Sequence, residues 1–189
     1  MRNLLRIWLT SGLVIGVGCG EQAQVREYVV PGEQQRVVTT EAIRGQFRAI
    51  PFRWKVPAEW RPASNDQFSV VAWAAGPREE SAAARITLSE LPGTAGIAAQ
   101  IARWRGQISL PAVSEDEALR DARALEASVS GASWVELMGG EETILGLLIP
   151  HEQSLWVFKY RSPNTTADQS GESFRDFCEK IRLEQPAKG

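Results

Sequence analysis

Across 189 residues the side chains best suited to metal binding and nucleophilic catalysis are scarce: one histidine, His151, and two cysteines, Cys19 and Cys178. Zinc hydrolysis needs several His or Cys ligands at defined spacing, and this inventory cannot supply them. His151 stands between Pro150 and Glu152 in a stretch that reads as a hairpin turn. A Ser-His-Asp system could draw on it, but no Gly-x-Ser-x-Gly elbow presents a nucleophile. Gly139-Gly140 lacks the lysine and the strand-to-helix setting of a phosphate loop. Glu115-Asp116-Glu117 lacks the alternating oxygen ligands, central glycine and distal glutamate of a calcium loop. Acids there complement the positive end of a helix instead. Glu141 and Glu142 would need burial to tune one of them for acid catalysis, and beside the Gly-Gly turn they read as solvated. These exclusions predict a protein without catalytic set, cofactor or metal.

Cys19 points to a different chemistry. Arg2 and Arg6 precede an apolar run that carries no charge from Ile7 to Gly20, the build of a secretory signal. The run of about 14 residues is shorter than the roughly 20 that span a bilayer core. It ends in Gly16-Val17-Gly18-Cys19-Gly20, which resembles a bacterial lipobox, where the cysteine is diacylated and becomes the new N-terminus. Gly16 departs from the large aliphatic residue usual three places before that cysteine. Residues 1–18 are therefore read as a signal peptide and Cys19 as a lipidation site. Plain secretion is the next reading and a retained anchor the last. Gly20 after the cysteine matches outer-membrane sorting in a Gram-negative cell; without acylation the location is secreted or periplasmic. Acyl chains contribute about 0.8 kcal/mol per buried methylene, so several together make a firm membrane anchor. Loss of Arg2 and Arg6 leaves 19 basic against 23 acidic groups, a balance that indicates neither nucleic acid nor an anionic membrane surface as partner.

Two sets of side chains could make surfaces. Six tryptophans follow the signal: Trp54, Trp60, Trp73, Trp104, Trp134 and Trp156. They are either core mass or the faces of a sugar or peptide groove; Trp60 and Trp73 are the candidates for exposed, ligand-binding positions. Arg103, Arg105 and Gln107 are the candidates for partner binding, with Gln100, Arg103 and Gln107 expected on the helix face opposite Ile97, Ile101 and Ile108. The competing reading is that the arginines clamp carbonyls or acids of their own domain.

Residues 19–46 are polar, without a helical stripe, and read as a flexible tether. With a root-mean-square reach of roughly 25–30 Å, it holds a domain clear of a membrane. A single globular domain is expected over 47–185. Alternation predicts strands at Phe52–Val56, Phe68–Ala74, Arg85–Ser89, Leu125–Val129 and Leu155–Arg161. Trp134–Met138 and Thr143–Ile149 read as a hairpin about Gly139-Gly140, whose turn invites positive φ angles. The nearly all-apolar Thr143–Ile149 suits a central strand covered on both faces. Ile97, Ile101, Trp104 and Ile108 make a helical stripe with Thr94 as cap, and Ser114 with Glu117 forms a capping box. Phe174, Phe177, Cys178 and Ile181 make one apolar face of a terminal helix, which reads Cys178 as a buried small hydrophobe. The fold class is α+β: a mostly antiparallel sheet of about six or seven strands, with an internal and a C-terminal helix packed on it.

The order of elements, with the strings Trp54-Lys55-Val56-Pro57-Ala58-Glu59-Trp60, Leu91-Pro92-Gly93, Arg103-Trp104-Arg105-Gly106-Gln107 and Trp156-Val157-Phe158-Lys159, resembles a group of uncharacterised exported proteins and lipoproteins frequent in planctomycetes. The resemblance covers residues 50–183 and implies the fold shared by the PsbP photosystem subunit and the Ran-binding MOG proteins. No residues of the photosystem or Ran interfaces can be matched, so neither binding activity follows. The expectation is a non-catalytic envelope domain, lipid-anchored or secreted, that acts through contacts with an envelope protein. The alternative is a small-ligand or glycan module using exposed tryptophans, with a His151-dependent hydrolase behind both.

Overall fold

A computed structural model describes residues 50–80, 82–125 and 129–184. These all fall in one compact unit. Cys19, the signal and the tether lie outside the described residues.

Seven strands form one antiparallel sheet in the order β2-β3-β4-β8-β7-β6-β5. They are β2 (Arg61–Pro62), β3 (Val71–Ala75), β4 (Ala84–Pro92), β5 (Ala122–Ala124), β6 (Ser133–Met138), β7 (Glu142–His151) and β8 (Ser154–Pro163). A separate ribbon pairs β1 (Phe52–Arg53) with β9 (Arg182–Leu183). Helix α1 (Ile97–Gln107) and the short α2 (Glu115–Arg120) share one apolar cluster, and α3 (Asn164–Glu179) belongs to the other. The fold is the α+β arrangement expected.

Strand β7 shows why the sheet has helices on both faces. Ile144 and Leu148 pack with Trp104 and Ile101 of α1, while Leu145, Leu147 and Ile149 pack in the cluster of Phe174 and Phe177. Strand side chains alternate between faces, so a fully apolar run needs two covers. In β8, Trp156, Phe158 and Tyr160 face α3, and Leu155 and Val157 face α1. Each such side chain fully withdrawn from water contributes about 1.5–3 kcal/mol. Phe174, Phe177, Cys178 and Ile181 are all buried on α3 or just beyond it, and complete burial pushes the Cys178 thiol well above its ordinary pKa. Ser114 caps α2 reciprocally with Glu117.

Several local expectations give way. The strand at Phe52 lasts two residues, matching the two-residue β9 it pairs with. Phe68 is 70% exposed; the Asp66 carboxylate accepts from its N–H at 2.9 Å, holding a turn that delays β3 to Val71. Thr94 lies in a 3₁₀ turn, and the residue before α1 is Gly96. The strand expected at Leu125–Val129 is found at Ala122–Ala124; residues 126–128 are outside the described set. The β6–β7 turn does not put Gly139 or Gly140 at positive φ. Gly139 is needed for a different reason: a Cβ there would collide with the Ile108 carbonyl oxygen. Asn164 closes the same turn, its side-chain amide donating to the carbonyls of Gly139 and Gly140 at 3.2 and 3.3 Å.

Candidate functional site

The three α1 candidates part company. Arg105 is a clamp: its Nε donates to the Pro111 carbonyl at 3.1 Å and its Nη1 to Asp121 Oδ2 at 2.8 Å. Its side chain is 15% exposed, so the partner-binding reading of Arg105 is corrected to an internal tie. Gln100 is buried rather than outward. At about 100° per residue, Gln100 and Gln107 flank the Ile97–Ile101–Ile108 stripe, while Arg103 points more nearly away from it. Arg103 is exposed and makes no hydrogen bond or ion pair among the described residues. Gln107 accepts a hydrogen bond from Lys159.

Trp60 and Trp73 are 5% and 7% exposed. Trp60 packs on Phe177 with ring centroids 4.9 Å apart, and Trp73 meets Trp54 edge-on at 6.2 Å. Both belong to the aromatic layer under α3, and the reading of them as exposed ligand platforms is corrected. His151 ends β7, with Nε2 3.9 Å from Glu152 Oε1 and its ring edge-on to Phe52 at 5.8 Å. No hydroxyl is hydrogen-bonded to it among the described residues.

What the sequence reading missed is a cleft of about 370 Å³ on the α1 side of the sheet. Its cations are Arg85 of β4 and Lys159 and Arg161 of β8, and Thr87 also lines it. The register makes the arrangement: Arg85 lies directly opposite Arg161, and Thr87 opposite Lys159. Like charges facing each other across a strand pair are unfavourable. Two of the three are answered locally. Arg161 donates to Glu142 at 3.0 and 2.5 Å, a two-bond fork, and Arg85 reaches Asp66 at 3.3 Å and the Ser64 carbonyl at 2.9 Å. Among the described residues, no carboxylate lies within ion-pair distance of Lys159. Its Nζ lies 5.7 Å from the centroid of the Trp104 ring, and the Gln107 amide oxygen is its hydrogen-bond partner. Burial, with Arg161 and Arg103 nearby, lowers its pKa from 10.5 to about 8.

Trp104 lies beside Lys159 rather than in the lining of the cleft, and it fits because β7 carries Gly146 beneath it. Gly146 is the ladder partner of Lys159. The indole therefore lies over the gap in β7 and beside the lysine on β8. Of the three cations in the cleft, Lys159 alone is left without an ion-pair partner among the described residues.

A second groove, about 510 Å³, runs between β6 and α3. Glu136, Asp168, Glu172, Asp176 and Glu179 line it with Arg175; Arg175 pairs with Glu179 at 3.2 Å.

Comparison with known proteins yields resemblance in shape. No family model matches the chain, and no curated protein matches it by sequence. A solved structure of LpqN, involved in cell envelope biogenesis of Mycobacterium tuberculosis, is similar at 16% identity with a TM-score of 0.42. The match covers 71% of this chain and 83% of that one. The solution structure of cyanobacterial PsbP from Synechocystis is similar at 15% identity and TM-score 0.44, over 71% of this chain and 87% of the other. A Bacteroides thetaiotaomicron structure is similar at 10% identity and TM-score 0.42, over 73% of this chain and 47% of its own length.

Proposed function

We propose that the chain is a non-catalytic envelope domain, akin to the exported proteins whose strings it shares, held at a membrane by lipid on Cys19. It works by contacting another envelope protein through the flank of α1 that carries Arg103 and Gln107. The observation that supports this reading is the free guanidinium of Arg103, exposed and without a partner among the described residues, within electrostatic reach of the poorly compensated Lys159. Uncompensated charge at a surface of this kind steers and orients association. Among the described residues no helix is long and apolar enough to cross a membrane.

The test is photo-cross-linking in the native cell from a probe at Gly106, beside Arg103 on α1, combined with mass measurement of the mature N-terminus. One recurrent cross-linked protein, lost in Arg103→Glu and present in Arg105→Lys, supports the reading. Identical cross-links in wild type and Arg103→Glu, or an unacylated mature terminus, refute its two halves separately.

A further inference from the structure

We propose that the groove between β6 and α3 docks a short extended segment of a partner protein, one that carries two or three spaced lysine or arginine side chains and an apolar residue. The groove lies on the sheet face opposite α1: Val135 and Leu137 of β6 point into the cluster of α1, and Trp134, which lines the groove, into that of α3. It is therefore a contact separate from that of Arg103.

Negative charge is in surplus on both walls. Asp168, Glu172, Asp176 and Glu179 line one wall as a single stripe of α3 and Glu136 lines the other, against one base, Arg175. Arg175 pairs with Glu179 at 3.2 Å and Lys180 with Asp176 at 3.7 Å. Glu136, Asp168 and Glu172 have no ion-pair partner among the described residues. Asp168, Glu172 and Asp176 also stand at i, i+4 spacing, where like charges repel and weaken a helix. Folding gains nothing from that repulsion; a cationic occupant relieves it.

The charges are spread along the groove. From Asp168 to Glu179 the helix rises about 16 Å, the length of about five extended residues. Among the described residues no three acids converge to hold a metal ion. Cations on separate side chains of one chain match such a row, and a single ion does not. The floor between the walls is apolar. Leu145 is buried there, and Gly171 brings α3 close to it, since a Cβ on the glycine would lie 3.2 Å from the Leu145 side chain. Met138 is 61% exposed, open to an apolar side chain of the occupant. Trp134 is 3% exposed, and its indole N–H lacks an acceptor among the described residues, as an extended backbone would supply.

Peptide binding tests the assignment. The full-length chain in detergent is titrated into a labelled, end-blocked pentapeptide of two arginines and a terminal leucine spaced by alanines, read by fluorescence anisotropy. The expected result is saturable binding that weakens as salt rises, and none to the same peptide with glutamates for arginines. Glu172→Lys exchanges repulsion for i, i+4 pairs with Asp168 and Asp176, so it melts no lower than wild type yet binds the peptide about tenfold more weakly. Met138→Ser weakens binding of the leucine peptide and not of a version ending in serine. Equal binding by wild type and Glu172→Lys overturns the proposal, as does indifference to Met138→Ser or displacement of the peptide by stoichiometric calcium. Self-association of the chain that Glu172→Lys abolishes, without peptide binding, also overturns it and gives the groove to a second copy. Cross-links from Gly106 on α1 are read independently, so the Arg103 contact stands or falls by itself.

Discussion

Gly146→Ala is the most demanding perturbation the packing allows. A Cβ at Gly146 would lie against Trp104 Cη2 and Cζ3, with Cε3 at 3.5 Å; the first two contacts fall far inside the ~3.5–4.0 Å optimum for carbon pairs. Neither side can yield easily. Strand β7 is held in register by Val135 on one flank and Lys159 on the other, and Trp104 is completely buried. Overpacking of a tight core costs about 1–3 kcal/mol, and this site belongs at the upper end. Alanine in a strand recovers about 0.5–1 kcal/mol of backbone entropy. The net loss is about 2 kcal/mol, a fall in Tm of roughly 6–8 °C for a domain of this size. Gly140→Ala is the control: nothing lies within 4 Å of its added Cβ and its φ is not positive. Far-UV circular dichroism melts of the three proteins measure the difference. The displaced indole also alters its contact with Lys159, so the amine pKa of the variant moves. A Gly146→Ala protein melting within about 1 °C of wild type would falsify the close packing of α1 on β7.

Two further outcomes follow from the same side. Arg105→Ala removes a charged hydrogen bond to Asp121 and another to the Pro111 carbonyl, and should cost about 1–2 kcal/mol in urea unfolding, while Arg103→Ala stays within about 0.5 kcal/mol; equal effects would erase the distinction between clamp and free cation. Lys159→Met should be more stable than wild type near neutral pH, because a pKa depressed from 10.5 to about 8 means that folding penalises the charged amine. The penalty is full below pH 8, where the lysine is protonated in both states, and fades between pH 8 and 10.5. The shift itself corresponds to roughly 3 kcal/mol as an upper bound, less what the contacts to Gln107 and Trp104 return. The stability gap between variant and wild type should therefore narrow as pH rises through that window; a gap that widens contradicts the desolvated lysine.

The elements whose pattern is set by their own burial were readable in the chain. Thr143–Ile149 announces a strand covered twice, Phe174–Cys178 a helix face, and Ser114 with Glu117 a cap, because in each case the information is local. The site is another matter. Alternation in β8 places Val157, Lys159 and Arg161 opposite Trp156, Phe158 and Tyr160, and alternation in β4 places Arg85 and Thr87 opposite Ile86 and Leu88. Nothing local states that β4 and β8 are neighbours or that Arg85 aligns with Arg161. The cleft exists only through that non-local register. The tryptophans fail for a related reason: Trp60 and Trp73 are hidden by Phe174 and Phe177 from α3, more than a hundred residues downstream of Trp60.

The extent of α1 determines why a lysine of this character stands where it does. Eleven residues make a helix about 16 Å long, enough to cover about three strands spaced near 4.8 Å. Its cluster takes in Val135 and Leu137 of β6, Ile144 and Leu148 of β7, and Leu155 and Val157 of β8, and reaches β4 only at the partly buried Leu91. Beyond that margin the same sheet face carries Thr87 and exposed Arg85. Lys159 sits at the boundary, its ammonium over the edge of the covered region near Trp104 and its hydrogen bond to the last residue of the helix. One strand further in, a charge would be buried without relief, at a cost no neighbouring group could offset. One strand further out, it would be an ordinary solvated lysine with an ordinary pKa. Only at the margin of the helix can an amine be both desolvated by its neighbours and still in reach of solvent.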